Sequence, residues 1–415
     1  MRLKFFSGIM IPLFIVVLFF GFIALGPAIV TAEEDLENNM TAGEAADLLD
    51  QYYGAPSPVA EEVFLNPVDI PDNEFYQAEI VEVVVETTEE IYEGYTENTQ
   101  ELRAKILNGP EKGRVIETVY GGIDSLDQYQ KVKSGDRVIL VKTYKVDGTF
   151  QYYVSDHYRL IPLIVIFLIF VGLVVFFGRF KGLGSLLGLG FSIVILVKYI
   201  VPQIIQGQDP LIVTLSGTLM IACVSLFLAH GFNKRTAVSL LSTVVTLVIA
   251  VVVSELLVKF AYLFGQGSEE AFFLHVDNLS HINLRGLLLA GIVIGTLGLL
   301  DDITTAQTAV VGELRQANSG LSKKELYRRG LVVGREHIAS LVNTLVLAYA
   351  GVSLPLFLLF FLNNQAPLWL TFNSEMIAEE FVRTIVGSAA LILAVPIATV
   401  FAVYFLSHEK IARPD

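Results

Sequence analysis

Three carboxylates lie along one stretch of an otherwise apolar region. Asp301 and Asp302 close the run Gly291-Ile-Val-Ile-Gly295-Thr-Leu-Gly298-Leu-Leu, and Glu313 follows after a Thr/Ala/Gly-rich segment. Ionisable groups at the end of a membrane span are costly unless hydrated, paired or liganded, so they mark the place to look for chemistry. If one helix continues through the stretch, Asp302, Thr305, Ala309 and Glu313 share a face. Small and hydroxyl residues joining acids would then line a polar groove for a proton or cation. The alternative is a helix end in the headgroup zone, with hydrated acids and an amphipathic surface helix beyond it. A second polar group is Gly334-Arg335-Glu336-His337, with Asn343 and Thr344 about two turns deeper in an apolar run. An amide at that depth needs a partner on another helix or on a ligand, which makes Asn343 a candidate substrate contact. Arg335 could pair with Asp301 or Asp302 across the mouth of the bundle, and the acids would then be structural.

The same residues exclude several enzyme classes. There is no H-E-x-x-H, since Arg335-Glu-His337 lacks the first histidine, and there is no G-x-x-x-x-G-K-[ST] phosphate loop. An intramembrane aspartyl protease needs aspartates on two facing helices, whereas Asp301 and Asp302 are neighbours on one. The reading is therefore a non-enzyme, with no catalytic residue, metal site or cofactor. Cys223 is the only cysteine and lies in an apolar run, so no internal disulfide forms.

These groups must be positioned by a membrane bundle. The chain of 415 residues is 53% hydrophobic and 17% charged, against about 25% charged in soluble domains. The expected organisation is an N-terminal anchor or signal segment (1–32), an acidic linker (33–74), an exported β-rich domain (75–158) and a seven-span helical membrane domain (159–415). The linker holds Pro56, Pro58, Pro67 and Pro71 and a short helix over 41–53, where Thr41-Ala-Gly-Glu44 has the form of a capping box. Alternating β-rich segments over 76–86, 101–107, 114–120, 137–144 and 150–154 predict a small barrel. Residues 33–158 carry 27 Asp/Glu against 9 Lys/Arg, a balance of −18, which argues against nucleic acid as a partner.

Seven spans are expected at 160–178, 183–203, 210–230, 236–263, 284–303, 337–362 and 378–406, each long enough to cross about 30 Å of hydrocarbon. With the N-terminal segment they make eight. Arg179, Lys181, Lys234, Arg235 and the basic stretch 315–335 fall on one side, and the loops 204–209, 264–283 and 363–377 contain no Lys or Arg. That bias predicts both termini in the cytoplasm. Gly184/Gly188 and Gly291/Gly295 are G-x-x-x-G pairs that would let helices pack closely.

Gly298-Leu-Leu-Asp301-Asp302 with Glu313-Leu314, Gly334-Arg-Glu-His337, Asn343-Thr-Leu-Val-Leu-Ala-Tyr349 and Ser353-Leu-Pro355 resemble the signature of the bacterial YibE/YibF-like membrane proteins. Glu380-Phe-Val-Arg383, Gly387-Ser388 and Val395-Pro396 resemble that family's final helix. The resemblance covers about 160–406. It implies a multi-pass bacterial cell-membrane protein of unestablished activity, sometimes described as a permease. The function expected is a membrane permease, proton- or cation-coupled, with Asp301, Asp302, Thr305, Glu313, Asn343 and Arg335 along the pathway. The alternative is a non-transporting scaffold or accessory subunit of an envelope or export complex. Its exported domain would bind an envelope protein, and the chain would work as a homo- or hetero-oligomer in the lipid bilayer.

Overall fold

The computed structural model describes residues 73–92, 95–121, 130–145, 148–276, 281–355, 358 and 367–406. The N-terminal apolar run, the capping-box helix and the linker up to residue 72 lie outside the described residues. The chain divides into two compact units, Ile29–Phe170 and a second that holds Val171–Asp415.

Five strands form the first unit: β1 (Glu74–Tyr92), β2 (Tyr95–Ile106), β3 (Val115–Gly121), β4 (Arg137–Tyr144) and β5 (Phe150–His157). They match the five segments expected from alternation. The strands close into a barrel in the order β1-β2-β3-β5-β4. Strand β1 reaches both neighbours, pairing with β4 over Glu74–Glu79 and with β2 along most of its length. Register shifts at Ile80/Glu82 and Val83/Val85 bend it around the barrel. Alternate residues point inward, so Ala78, Ile80, Leu102, Ala104, Ile106, Ile116, Val138 and Leu140 fill the interior.

The second unit is helical. Among the described residues, six stretches are long and apolar enough to cross a membrane, which makes the chain a multi-pass helical membrane protein. They are Leu160–Ile205, α3 (Pro210–His230), α4 (Lys234–Phe260), α6 (Leu284–Ala317), α7 (Lys323–Val352) and α9 (Glu375–Leu406). The first stretch comprises α1 (Leu160–Ile195), a π-helical turn (Leu196–Ile200) and α2 (Val201–Ile205). Short helices α5 (Glu269–Val276) and α8 (Leu368–Phe372) lie in the connections.

The expected count of eight spans is not borne out. One expected span falls outside the described residues, and two others, 160–178 and 183–203, belong to a single 46-residue stretch. That stretch is not straight. Arg179 takes φ 49°, ψ −134°, outside helical space. A Cβ on Gly182 would sit 2.3 Å from the Val174 carbonyl oxygen. Eight residues of straight helix would separate these positions by about 12 Å, so the chain turns back sharply at Arg179.

Helices α4, α6 and α9 build the core, with Leu240, Leu247, Val293, Leu297, Leu300, Ala390 and Ala394 packed together. The two G-x-x-x-G pairs behave differently. Gly184 and Gly188 seat α1 on α3, since a Cβ on Gly184 would lie 2.2 Å from the Leu228 carbonyl oxygen. Gly291 faces open space and Gly295 only approaches the Tyr349 hydroxyl. At the far end of α4, Glu375 accepts from the backbone N–H of Phe264, Gly265 and Gln266, and Glu379 accepts from Gly267. Two carboxylates of α9 thereby hold four consecutive amides of the loop after α4.

Candidate functional site

Helix α6 starts on Asn283, whose side chain accepts from the Gly286 N–H, and runs unbroken to Ala317. Asp301 and Asp302 are therefore interior to a helix and do not end one. One face, carrying Leu300, Ile303, Thr304, Gln307, Thr308 and Val311, is buried. The other carries Gly291, Gly295, Gly298 and Asp302, all exposed, in a stripe that continues to Thr305 and Ala309. Asp301 lies between the two faces. Its Oδ2 accepts from Ser225 Oγ of α3 at 3.4 Å, long for an O–H···O bond. Its Oδ1 is inaccessible and has no partner among the described residues.

The other sequence-predicted residues divide. Thr305 donates back to its own helix, to the carbonyls of Asp301 (2.8 Å) and Asp302 (3.0 Å). Glu313 is held by Arg235 of α4 at 2.9 Å, so it is not a free acid of the groove. Gly312 makes room for this contact, since a Cβ there would lie 2.9 Å from the guanidinium carbon. Arg335 is exposed and makes no ion pair among the described residues, so it does not bridge to Asp301 or Asp302. Asn343 is exposed on α7, apart from the acids' buried face. Glu255 pairs with Arg285 of α6 at 2.7 Å.

Where α3 meets α4, a cavity of about 470 Å³ opens beside the acids' face of α6. Lys181, His230, Lys234, Arg235, Thr305 and Ala309 line it. The face that joins Asp302 to Glu313 thus borders a real space, but cations from α1 and α4 supply its charge.

Gln307 is the residue that sequence reasoning missed. It is fully buried and its amide donates to the Gly330 carbonyl (2.9 Å) and to Thr399 Oγ1 (2.8 Å), tying α6 to α7 and α9. Gly330 and Gly334 admit it, for a Cβ on Gly334 would lie 3.1 Å from the Gln307 side chain and 2.4 Å from Val395. Two signals pointed there: the G-x-x-x-G of Gly330 and Gly334, and an amide on the 300/303/307/311 face.

The barrel holds a second charged cluster. Lys142, only 9% exposed, bonds Glu111 at 2.9 Å and lies 4.6 Å from the Phe150 ring centroid. Glu111 also accepts from the Tyr152 hydroxyl and Arg114, both at 2.6 Å. Tyr152 and Lys142 together hold the Glu111 carboxyl down at about 2. Burial and then the Glu111 bond push Tyr152 up to about 12, and Glu74 raises Tyr76 to about 12. The Glu111 contact raises Lys142 as well. The cluster is a closed clasp, with each group satisfied by another.

Residues 166–408, more than half of the chain, match the family model described as YibE/F-like protein. The chain belongs to the YibE/F-like family. The match runs from within α1 to the end of α9, so this YibE/F-like protein carries Asp301, the basic cavity and Gln307 in its family region and the barrel outside it. No curated protein and no solved structure matches the chain.

Proposed function

We propose that the protein is a cell-membrane permease coupled to protons or cations, with Asp301 as the coupling group. The observation that carries this reading is the Asp301 carboxylate. It lies inside a membrane-spanning helix with one long contact and one unpartnered oxygen. An uncompensated carboxylate is costly there, and a proton or cation would remove the cost. The exposed stripe Gly291-Gly295-Gly298-Asp302 gives a substrate a route along α6 toward the basic cavity. Both termini lie in the cytoplasm, on the charge bias of the loops. The reversal at Arg179 supports 160–178 and 183–203 as separate crossings, which with the N-terminal segment makes eight. Cysteines at Gln208 and Gln266 should label from outside, while ones at Asn233 and Ser322 should not; outside labelling at Ser322 would overturn this topology.

Function is tested in proteoliposomes carrying the purified chain, across a panel of small substrates under proton and cation gradients. Asp301→Asn should abolish coupled flux with an unchanged melting temperature. Glu313→Gln should keep flux, because its carboxylate only clamps Arg235 at the surface, a pair worth about 0.5 kcal/mol. No flux by the parent under any gradient would sink the permease reading.

A second reading, an accessory subunit that binds an envelope protein through an exported barrel, has its own support. Strands β3 and β5 meet in a single pair, Val119 with Tyr153. Beside it lies a cavity of about 430 Å³ with the exposed apolar side chains Val84, Val119 and Phe150. A partner whose capture requires residues 75–158, together with absent flux, would favour it.

A further inference from the structure

Helix α7 is far less covered than the spans that build the core. In its most apolar 18 residues 11% are buried, against 44, 50, 56 and 50% in α3, α4, α6 and α9. One side of it is seated: Gly330 and Gly334 lie against Gln307, and Ile338 and Leu341 pack on the core. The other side carries Glu336, Ser340, Asn343 and Leu347, all exposed. Spaced by four, three and four residues, they form one seam with a 3.5-residue period, the repeat along which two helices wind together.

Asn343 is where this face stops suiting lipid. It lies about 10 Å along the helix from Glu336, and α7 continues beyond it to Val352, so it sits well inside the span. Among the described residues, neither the Asn343 amide nor the Ser340 hydroxyl has a hydrogen-bond partner, whereas Thr344 donates to the Ser340 carbonyl of its own helix at 3.0 Å. An unpaired amide in hydrocarbon is costly, and a hydrogen bond to another helix relieves it.

A second copy is the occupant these residues select. Copies inserted with one topology meet in parallel about an axis along the membrane normal, so each seam residue faces its own counterpart. Such a seam needs residues that complement themselves. A carboxamide both donates and accepts, and so does a hydroxyl, so Asn343 and Ser340 each satisfy a copy of themselves. Ala339, exposed beside the seam, lets two backbones approach, and Leu347 meets leucine. Arg335 and Glu336 are exposed neighbours of opposite sign without an ion pair among the described residues. Each copy brings both, so that end of the pair is electrically balanced. A foreign helix would need a polar group at the matching height by coincidence, while a second copy brings one by symmetry. We infer that the α7 seam joins two copies of this chain as a parallel two-fold pair. The pairing does not depend on transport, so absent flux leaves it standing.

The test uses the full chain in liposomes at a low protein-to-lipid ratio. Single cysteines are introduced along α7 and oxidised, and linked copies are counted on a denaturing gel. Ser340→Cys, Asn343→Cys and Leu347→Cys should link, while Ile338→Cys and Leu341→Cys, which face their own bundle, should not. The parent, whose one cysteine is buried in α3, is the blank. In a second arm, energy transfer between donor- and acceptor-labelled copies is followed as lipid is added. Asn343→Leu keeps the size and removes the amide, and should raise the dissociation constant about tenfold for two lost interhelical bonds. Asn343→Gln should recover most of that loss, and Thr344→Val should stay within about twofold of the parent. Parent-like melting points show that each variant folds. Transfer by the parent no greater than for randomly dispersed copies, or equal linking at both sets of positions, would overturn the inference. So would Asn343→Cys linking only to a second cysteine placed in residues 5–30 of its own chain, which gives the face to that segment. Rapid labelling of Asn343→Cys by a charged, impermeant reagent without any linking would make the face a wall of an aqueous path and overturn it as well.

Discussion

The barrel closes its buried polar groups on one another, while the helical unit leaves several with capacity unused. In the barrel, Gln100 is fully buried, yet its amide bonds Glu86 and the Val132 carbonyl and accepts from the Val132 N–H. Glu111 takes three donors. Among the described residues, every buried side-chain N or O atom without a partner lies in the helical unit, including Asp301 Oδ1, Gln307 Oε1, Thr308 Oγ1 and His337 Nδ1. A barrel satisfied within itself spends its polar chemistry on stability. A bundle that holds a carboxylate and hydroxyls without full satisfaction leaves them with capacity for a further bond.

The sharpest way to break this contrast is through packing. Gly184→Leu drives a side chain into the Leu228 backbone and should cost about 3 kcal/mol or more. Gly291→Leu enters open space and should stay within about 0.5 kcal/mol. Thermal unfolding of the two variants measures the difference directly, and equal losses would contradict the assignment of one motif to packing and the other to an open stripe.

Next in size is the barrel clasp. Glu111→Gln leaves Glu74 at 3.7 Å as the one carboxylate paired with Lys142 among the described residues and should cost the barrel about 2 kcal/mol. Because the folded Glu111 carboxyl is lowered to about 2 from an ordinary 4.5, its contribution is complete above about pH 4.5 and fades as the pH falls toward 2. Hydrogen exchange at β1 and β4 should show this acid sensitivity in the parent, and Glu111→Gln should remove most of it. A smaller loss than at Glu111 is expected in the bundle. Gln307→Leu loses two amide bonds but also an unsatisfied oxygen, for a net cost of about 1 kcal/mol. A loss as large as that at Glu111 would mean that Gln307 is as closed as the barrel network.

Much of this was legible in the sequence. The barrel strands follow from period-two alternation, and the continuous α6 puts Thr305 and Ala309 on one face with Asp302, where they border a cavity. The reversal at Arg179 falls where the expected spans 160–178 and 183–203 left a connection, although the left-handed arginine that makes it leaves no compositional mark. The basic lining of the cavity could not be read from spacing along α6. Lys181, Lys234 and Arg235 lie about 70 to 120 residues before the acids and were read only as markers of orientation. Their convergence is a product of tertiary packing. Gln307 could have been found by asking which polar residue shares the buried face with Leu300 and Val311.

The carboxylate clasp at the loop after α4 has a consequence for how the molecule is made. Glu375 and Glu379 reach back about 110 residues to Phe264–Gly267, and α9 also packs centrally against α4 and α6. A helix made after the other described spans is therefore one that they pack against. Until it is inserted, the apolar faces of α4 and α6 that it covers stay open. The bundle locks only once α9 has joined it.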